Sequence, residues 1–298
     1  MDQTTTINIV RRREFIQASA LAMAGTMALS AFSMSSKHKI GLQLYTLRDV
    51  MGKDPKGVLK QLADLGYQEL ETYGYRDGML FGMPAKEFGE YVRSLGMRAT
   101  SGHYALGKTE RMKEMKGTLS NDWERAAADA KENGQEYMIL AFLTPDERVT
   151  LDDYKYVCEK LNKGAEVCKK YGLRMGYHNH DFEFVKIDDQ VPYFVMLSEL
   201  DPKLVSMELD LYWTTYAGHQ PIELFKKYPG RFEQWHLKDM DKVDRKKNAN
   251  VGTGSIDFKA ILAQDSLAGM KHYYIEHDSY SGTSWESVIA DIGYAKTL

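Results

Sequence analysis

The sequence is poor in cysteine and proline, has no long apolar run of the membrane-spanning kind, and carries no excess of basic residues. Two Cys in 298 residues exclude a disulfide scaffold, and 7 Pro with 24 Gly exclude a collagen-like or low-complexity chain. The formal net charge of -3 offers no basic surface to phosphate backbones, so we expect no nucleic-acid partner. The rest of the composition, 43% hydrophobic and 27% charged, is that of a globular protein with one large domain or two small ones.

The N-terminus is typical of an export signal. A basic segment, Arg11–Gln17, precedes an uncharged stretch from Ala18 to Met34 that is short and rich in small residues, so we expect no stable membrane span. The Arg-Arg-x-Phe-Ile pattern from Arg12 to Ile16 resembles a bacterial twin-arginine signal. We therefore expect residues 1–34 to be a cleaved signal peptide and residues 35–298 to be a periplasmic protein. An amphipathic N-terminal helix and a Sec signal are the alternatives.

Helical segments alternate with short apolar runs along residues 35–298. The unit is clearest at Asp54, where an N-cap candidate and Pro55 precede apolar residues at helical spacing, and Gly66 ends the helix before the next strand. The same pattern predicts eight strands, at Lys39–Tyr45, Tyr67–Thr72, Met97–His103, Tyr137–Ala141, Leu173–His180, Val205–Asp210, Phe232–Lys238 and Tyr273–Asp278. Eight βα units with right-handed crossovers predict a single (β/α)8 TIM barrel, with a doubly wound open sheet as the competing architecture.

Two long helices are also predicted. The first runs from about Leu151 to Lys170 and contains both cysteines, Cys158 and Cys168, roughly 15 Å apart and beyond the reach of a disulfide. The cysteines therefore do not indicate the redox compartment. The second helix, Trp285–Ala295, is expected to bury Trp285, Val288, Ile289 and Ile292.

Histidines cluster where a TIM barrel carries its chemistry, at the carboxyl ends of the predicted strands. Five of the eight lie there: His103, His178, His180, His236 and His277. Because side chains alternate faces along a strand, one choice of inner face brings together His178, Asp210, His236 and Glu276 from four neighbouring strands. Mixed imidazole and carboxylate ligands predict a divalent metal ion (Mn²⁺, Co²⁺, Zn²⁺, Fe²⁺ or Mg²⁺) that holds adjacent oxygens of a sugar.

Several of these residues have a structural alternative. Asp210 can cap the helix that follows it, and Glu276 can pair with Lys238. His180 and Glu183 compete with His178 for its place in the metal site.

Four further residues are candidate substrate contacts: Glu71, His103, Glu183 and Trp213. Trp213 either stacks on a sugar ring or packs under a loop. The glycine-rich segment 251–255 has no Lys after it, so we expect a turn that caps a helix at Asp257 rather than a phosphate-binding loop.

The strand-end motifs resemble those of the xylose-isomerase-like TIM barrel superfamily, often called sugar phosphate isomerases/epimerases. The resemblance spans Ile40 to the last helix and is carried by Gly41–Arg48, Tyr177–His180, Leu209–Trp213, Trp235–Asp239 and Ile275-Glu276. It implies metal ligands at Asp210, His236 and Glu276.

Two positions depart from that superfamily. His178 stands where its members usually have a Glu on the fifth strand, and Trp213 stands where many epimerases have a His that contacts substrate. The Tyr177–His180 run is instead similar to the His-rich fifth strand of inosose dehydratases. Those enzymes abstract a proton next to a ketone and eliminate a β-hydroxyl.

These features predict a metal-dependent isomerase or epimerase that acts on an unphosphorylated sugar or keto-sugar through an enediolate. Glu276 is the expected base, His178 or His180 the second acid or base, and Lys238 the group that stabilises negative oxygen. The substrate is expected to lack phosphate because sugar phosphates are chiefly cytoplasmic. A lyase or dehydratase acting on a keto-sugar or 3-keto-glycoside is the main alternative.

A non-catalytic periplasmic carbohydrate binder is a further alternative, which the intact set of metal ligands disfavours. The AP endonuclease branch of the superfamily needs a basic DNA-facing surface, and the acidic balance of this chain disfavours it. The expected partner is a small carbohydrate, and assembly into a homo-oligomer is left as an alternative to a monomer.

Overall fold

The computed structural model describes residues 38–298, so the expected signal peptide, residues 1–34, lies outside the described residues. Eight parallel strands form a closed barrel: β1 (Gly41–Gln43), β2 (Glu69–Thr72), β3 (Arg98–Ala105), β4 (Tyr137–Phe142), β5 (Arg174–His178), β6 (Val205–Asp210), β7 (Gln234–Leu237) and β8 (His272–Ile275). Strand β1 pairs with both β2 and β8. This closure confirms the (β/α)8 prediction and excludes the doubly wound open sheet.

A helix follows each strand and packs on the outside of the barrel. The eight are α1 (Pro55–Leu65), α2 (Ala85–Ser94), α3 (Trp123–Asn133), α4 (Leu151–Lys170), α5 (Pro192–Glu199), α6 (Pro221–Lys227), α7 (Phe258–Leu262) and α8 (Ser284–Ala295). Shorter α-helical turns lie at Arg48–Met51, Leu211–Tyr216 and Asp265–Ala268, and 3₁₀ turns at Leu44–Leu47, Pro145–Glu147 and Phe182–Phe184. Two small antiparallel sheets pair Met79–Leu80 with Met83–Pro84 and Asp239–Met240 with Asn248–Ala249. Within residues 38–298, no helix combines the length and apolarity that crossing a membrane requires.

Helix α1 shows how the sequence sets the ends of these elements. The Asp54 side chain accepts a hydrogen bond from the Gly57 N–H at 2.9 Å, and Pro55 occupies the first turn, where no N–H partner is needed. Gly66 ends the helix with φ of 100°, a conformation that glycine adopts without steric cost. The predicted bounds of α4 and β6 are confirmed residue for residue.

The predicted packing of α8 was wrong in part. Val288, Ile292 and Ala295 are buried, but Ile289 is 54% exposed and Trp285 is half-buried. Residues four and three apart lie on one face of a helix, whereas Ile289 lies about 100° around the axis from Val288. The buried face is completed by the small polar residues Ser284 and Ser287 rather than by the two large apolar ones.

The barrel strands separate an apolar outer layer from a polar interior. Outward-facing residues pack under the helices, as where Trp235 of β7 stacks on Phe225 of α6 with ring centroids 4.9 Å apart. Both cysteines are free and buried in this layer, and Cys168 Sγ lies 3.7 Å from Met138 Sδ. Inward-facing residues are largely polar toward the carboxyl ends of the strands, which positions the candidate site.

Candidate functional site

A cavity of about 400 Å³ opens at the carboxyl ends of the barrel strands. Its polar lining comes from strands β3, β5 and β8, and its aromatic lining comes from the segments after β1 and β2 and from the end of β4. The lining residues are Tyr45, Tyr73, His103, Ala141, Phe142, His178, His180, Glu276 and Asp278. A volume of this size is within the range of small-molecule sites in proteins.

The structure brings together the four predicted metal ligands beside this cavity. One ligand atom from each of His178, Asp210, His236 and Glu276 lies within 4.8 Å of the others, and all four residues are buried. His236 Nδ1 is 2.9 Å from Glu276 Oε2, and His178 Nε2 is 3.9 Å from Asp210 Oδ2. Two imidazoles and two carboxylates at this spacing form a mixed donor set that first-row divalent ions accept.

Asp210 combines the two roles that the sequence left open. It is the last residue of β6 and the N-cap of the helix Leu211–Tyr216, where its Oδ1 accepts a hydrogen bond from the Trp213 N–H at 2.8 Å. Its Oδ2 faces the cluster, 3.0 Å from Lys238 Nζ. Capping with one oxygen therefore fixes the carboxylate and leaves the other oxygen directed at the site.

Lys238 lies among three carboxylates. Its Nζ is 3.0 Å from Asp210 Oδ2, 2.8 Å from Glu276 Oε2 and 2.8 Å from Asp278 Oδ2. Burial alone would lower the pKa of Lys238, but the charges of these carboxylates outweigh it and hold the pKa well above its usual value. Glu276 is affected in the same way: burial opposes ionisation, yet Lys238 and His236 hold its pKa well below its usual range. The Lys238–Glu276 pair therefore exists alongside the cluster of metal ligands.

Glu208 is a site residue that the sequence-based prediction missed. Its Oε2 lies 2.9 Å from His103 Nε2, 3.2 Å from His178 Nδ1 and 3.3 Å from His236 Nε2. These four residues form a second group of convergent ligand atoms that overlaps the first. The signal was present in the Glu208-Leu209-Asp210 run, because residues two apart on a strand share a face. Burial and the charge of Glu71 raise the pKa of Glu208 to about 7.

Glu71 lies in the barrel interior beneath the cavity. Its Oε2 is 2.9 Å from His103 Nε2 and 2.7 Å from His236 Nε2, and it accepts hydrogen bonds from the side chains of Gln43 and Ser101. Burial would raise the pKa of Glu71, but the two imidazoles lower it. The pKa of His103 is raised to about 9: burial opposes this shift, and the charges and hydrogen bonds of Glu71 and Glu208 together outweigh the burial. Glu71 thus contacts the candidate ligand His236 rather than the open cavity.

His180 lines the cavity, whereas Trp213 and Glu183 do not line it. Trp213 is half-buried, and its ring centroid lies 5.8 Å from that of His180. Glu183 is fully buried and accepts hydrogen bonds from the Tyr177 hydroxyl at 2.7 Å and the His180 N–H at 2.8 Å. Tyr177 faces the helix layer, so the structure does not bring Glu183 to the predicted substrate site or to the fourth ligand position.

His277 is also at a strand end but points away from the cavity. Its Nε2 lies 2.6 Å from Asp291 Oδ2 on α8, behind the barrel wall. This placement follows from alternation, because the preceding residue, Glu276, faces inward.

The glycine-rich segment 251–255 is a turn whose amides are already occupied. Asp239 Oδ2 accepts hydrogen bonds from the Gly252 and Gly254 N–H groups, both at 2.9 Å, and Oδ1 accepts one from Ile256 at 3.1 Å. Asp257 then caps α7 through the Ala260 N–H at 3.0 Å, as the sequence predicts. A carboxylate of the chain itself therefore fills the position that a phosphate would need.

The chemistry of these side chains fits a divalent metal ion. Glu208 Oε1 is buried without a hydrogen-bond partner among residues 38–298, and His178 Nδ1 lies 3.2 Å from Glu208 Oε2 without the geometry of a hydrogen bond. Such an arrangement costs free energy unless another group binds there. Burial, followed by the charges of His236, His180 and His103, holds the pKa of His178 well below its usual value. The imidazole is therefore neutral at physiological pH, which is the form that binds metals.

Comparison with known proteins agrees with this architecture. The family model described as xylose isomerase-like TIM barrel matches residues 59–275. The chain belongs to this family. A curated relative, the inosose dehydratase of Geobacillus kaustophilus, is 24% identical over 198 residues, which cover 61% of this chain and 61% of that protein. This chain therefore matches less than two thirds of that relative's length.

Two solved structures share this fold over most of the chain. A sugar phosphate isomerase/epimerase from Parabacteroides distasonis is 28% identical with a TM-score of 0.76, covering 89% of this chain and 96% of that one. The IolI protein, solved with a zinc atom, has a TM-score of 0.68 and 14% identity, covering 87% of this chain and 96% of that one. At that identity the likeness to IolI concerns the fold alone.

Proposed function

We propose that this protein is a metal-dependent enzyme that transfers a proton at the carbon next to the carbonyl of an unphosphorylated sugar or keto-sugar. The observation that carries the proposal is the convergence of His178, Asp210, His236 and Glu276 beside a cavity of about 400 Å³. A divalent ion held by these side chains supplies a Lewis acid that polarises the substrate carbonyl and so acidifies the neighbouring C–H.

The side chains beside the cavity have the protonation states that this chemistry requires. Glu276 is ionised, since Lys238 and His236 outweigh its burial and lower its pKa, and so it can accept the proton. His178 and His180 are neutral: burial lowers the pKa of both, to about 3 for His180. Lys238 keeps its positive charge 2.8 Å from Glu276 Oε2, where it stabilises negative charge on oxygen.

Elimination is the outcome that we favour. The resemblance to the superfamily implies that its epimerases use a carboxylate on each face of the intermediate, whereas here the fifth strand supplies the imidazole of His178 in place of one carboxylate. In elimination, Glu276 takes the proton and the C–H electron pair becomes a C=C bond. As the carbonyl re-forms, this electron pair shifts to the bond between the α and β carbons, the β C–O bond breaks with its electrons leaving on oxygen, and that oxygen takes the proton back from Glu276. The name of the curated inosose dehydratase relative also supports elimination.

Isomerisation or epimerisation is the second candidate, and the P. distasonis structure of that name at 28% identity favours it. Both outcomes begin with the same proton abstraction and differ only in whether the intermediate is reprotonated or loses its β substituent. An unphosphorylated substrate is supported by two features. One is the twin-arginine-like pattern at Arg12–Ile16, and the other is the filling of the 251–255 loop by Asp239.

The test is incubation of the Mn²⁺- or Co²⁺-loaded protein with unphosphorylated ketoses and 3-keto-glycosides in D₂O, followed by NMR. Release of the β substituent supports the lyase, and deuterium incorporation without release supports the isomerase. Glu276→Gln should abolish both signals, while His219→Ala, a histidine outside the cluster, should retain them. Substrate binding without exchange or release would refute catalysis and leave a carbohydrate-binding protein.

A further inference from the structure

The large apolar side chains that residues 38–298 expose to solvent include two aromatic ones, Tyr45 and Phe142. Tyr45 is 40% exposed and Phe142 is 46% exposed, and both line the cavity that holds His178 and Glu276. Exposed aromatic surface is disfavoured in water, so its concentration at one cavity points to a ligand that covers it.

The ring of Tyr45 is held in a fixed position. It makes an edge contact with Tyr73 at a centroid distance of 5.3 Å, and the Arg48 guanidinium lies 4.5 Å from its centroid. Arg48 is itself anchored by hydrogen bonds to the Asp278 carbonyl at 2.6 Å and the Tyr280 hydroxyl at 2.6 Å. The ring therefore presents its free surface without further ordering when a ligand arrives.

Phe142 is positioned in a similar way by neighbouring rings. It meets His180 edge-on at 5.3 Å and Phe182 edge-on at 5.7 Å, and His180 and Phe182 are stacked on each other. The Arg148 guanidinium lies 3.6 Å from the Phe182 centroid. Packing against His180 and Phe182 thus holds the Phe142 ring in place at the cavity.

The two rings come from different parts of the barrel mouth. Tyr45 follows β1 and Phe142 ends β4, three strands away around the barrel. The polar groups that act on a carbonyl belong to β5 and β8. A single sugar ring at these polar groups satisfies the chemistry, and the aromatic surface of Tyr45 and Phe142 offers an apolar contact to a second group.

We propose that Tyr45 and Phe142 form a subsite for a second ring of the substrate, the aglycone or neighbouring sugar of a glycoside whose ketone-bearing ring sits at the polar groups. The inference rests on the proposed function for the position of the reacting ring. Aromatic side chains bind aromatic rings and the C–H faces of sugars through the same apolar contact. The substrate class is therefore a keto-glycoside rather than a free keto-monosaccharide, and binding energy from the unreacted ring positions the reacting one.

The test uses inert ligands, so it does not depend on turnover. Binding of the α and β anomers of phenyl glucoside and methyl glucoside to the full-length, Mn²⁺-loaded protein is measured by titration calorimetry. We expect a phenyl glucoside to bind about tenfold more tightly than the matching methyl glucoside. Tyr45→Ala and Phe142→Ala should each weaken the phenyl ligand by about threefold to tenfold, the range of one aromatic contact, and change the methyl ligand by less than about twofold.

Matched variants separate the subsite from a general effect on the surface. Tyr45→Phe keeps the ring and should bind phenyl glucoside as the wild type does. Ile289→Ala removes an equally exposed apolar side chain from α8 and should change neither ligand. Equal affinity for phenyl and methyl ligands, no binding of either, or equal losses on both in the alanine variants would overturn the subsite.

The outcome is distinguishable from failure of the proposed function. Deuterium exchange without a phenyl preference would overturn the subsite and leave the proton-transfer function intact. A phenyl preference that depends on Tyr45 and Phe142, in a protein that exchanges no deuterium into any ketone, would uphold the subsite and overturn the reaction.

Discussion

Replacing Lys238 by Met tests the electrostatic organisation of the site. The change removes the ammonium but keeps a side chain of similar length, so little cavity volume is created. Lys238 Nζ lies within 3.0 Å of oxygens from two buried carboxylates, Asp210 and Glu276. The third carboxylate, Asp278, is 36% exposed, and we assign it little of the effect because solvent screens it.

The magnitude follows from the two buried pairs. Removing one partner of a buried ion pair costs about 3–5 kcal/mol, because the remaining charge is left uncompensated. For a domain of this size that loss corresponds to a fall in Tm of about 6–20 °C. Added Mn²⁺ supplies positive charge to the same carboxylates, so it should raise the Tm of Lys238→Met by more than that of the wild type.

The assay is thermal and urea unfolding of EDTA-treated protein, each followed by tryptophan fluorescence and repeated with Mn²⁺. Lys60→Met is the control, because Lys60 pairs with Asp64 on the exposed face of α1, and its Tm should not change. If Lys238→Met without metal unfolds within about 1 kcal/mol of the wild type, the carboxylates do not depend on the ammonium and this account of the site is wrong.

Three further predictions concern the metal, a buried carboxyl group and a tight turn. His236→Ala and Glu276→Ala should each lose stoichiometric Mn²⁺ binding in equilibrium dialysis, because each removes one of four convergent ligands. Burial raises the pKa of Glu183 to about 8. The folded protein therefore favours the protonated carboxyl group, and its full contribution to the free energy of unfolding is present below pH 4.5, the pKa of an ordinary Glu. This contribution is lost as the pH rises toward 8. Glu183→Gln should remove this dependence, about 1.4 kcal/mol per pH unit, from urea unfolding measured between about pH 5 and about pH 7.5. Gly254→Ala should destabilise the protein to urea by about 1–3 kcal/mol, because the new Cβ would overlap the Asp239 carboxylate and the Met240 carbonyl oxygen.

Each of these predictions has a matched control or a contrary result. His219→Ala should keep its Mn²⁺, and retention of the ion by either ligand variant would contradict the site. Parallel pH profiles for the wild type and Glu183→Gln would mean that this carboxyl group titrates normally. Gly293→Ala places its Cβ where no atom lies within 4 Å, so it should not lose stability, and an equal loss at both glycines would exclude the clash.

The architecture was predictable because its signals are local and repeated. The alternation of strand and helix recurs eight times, with caps such as Asp54 and Gly66 marking some of the helix ends, so an error at one strand end does not change the fold. Val205–Asp210 and Leu151–Lys170 were predicted to the residue. The burial predicted for Ile289 was wrong, because the face of a helix that meets the barrel depends on its rotation against neighbours that are distant in sequence.

From the sequence, a site residue was predictable only where a His, Asp or Glu side chain stands at the end of a predicted strand. Glu208 was missed because it lies two residues before the end of β6, and its importance depends on His103 reaching it from β3. Glu183 follows β5 closely enough to suggest the site, yet its partner Tyr177 faces the helix layer and draws it away. The first case depends on a contact between β3 and β6 and the second on the direction in which Tyr177 faces, and the sequence specifies neither.

The two free cysteines can report how often helix α4 detaches from the barrel. Burial raises the pKa of the Cys158 and Cys168 thiols to about 12, so neither is ionised at neutral pH and neither is accessible while α4 is docked. A thiol reagent therefore reacts only during openings that expose the barrel-facing side of this helix. The labelling rate with and without Mn²⁺ would measure whether loading the barrel mouth slows the detachment of a helix on its outside.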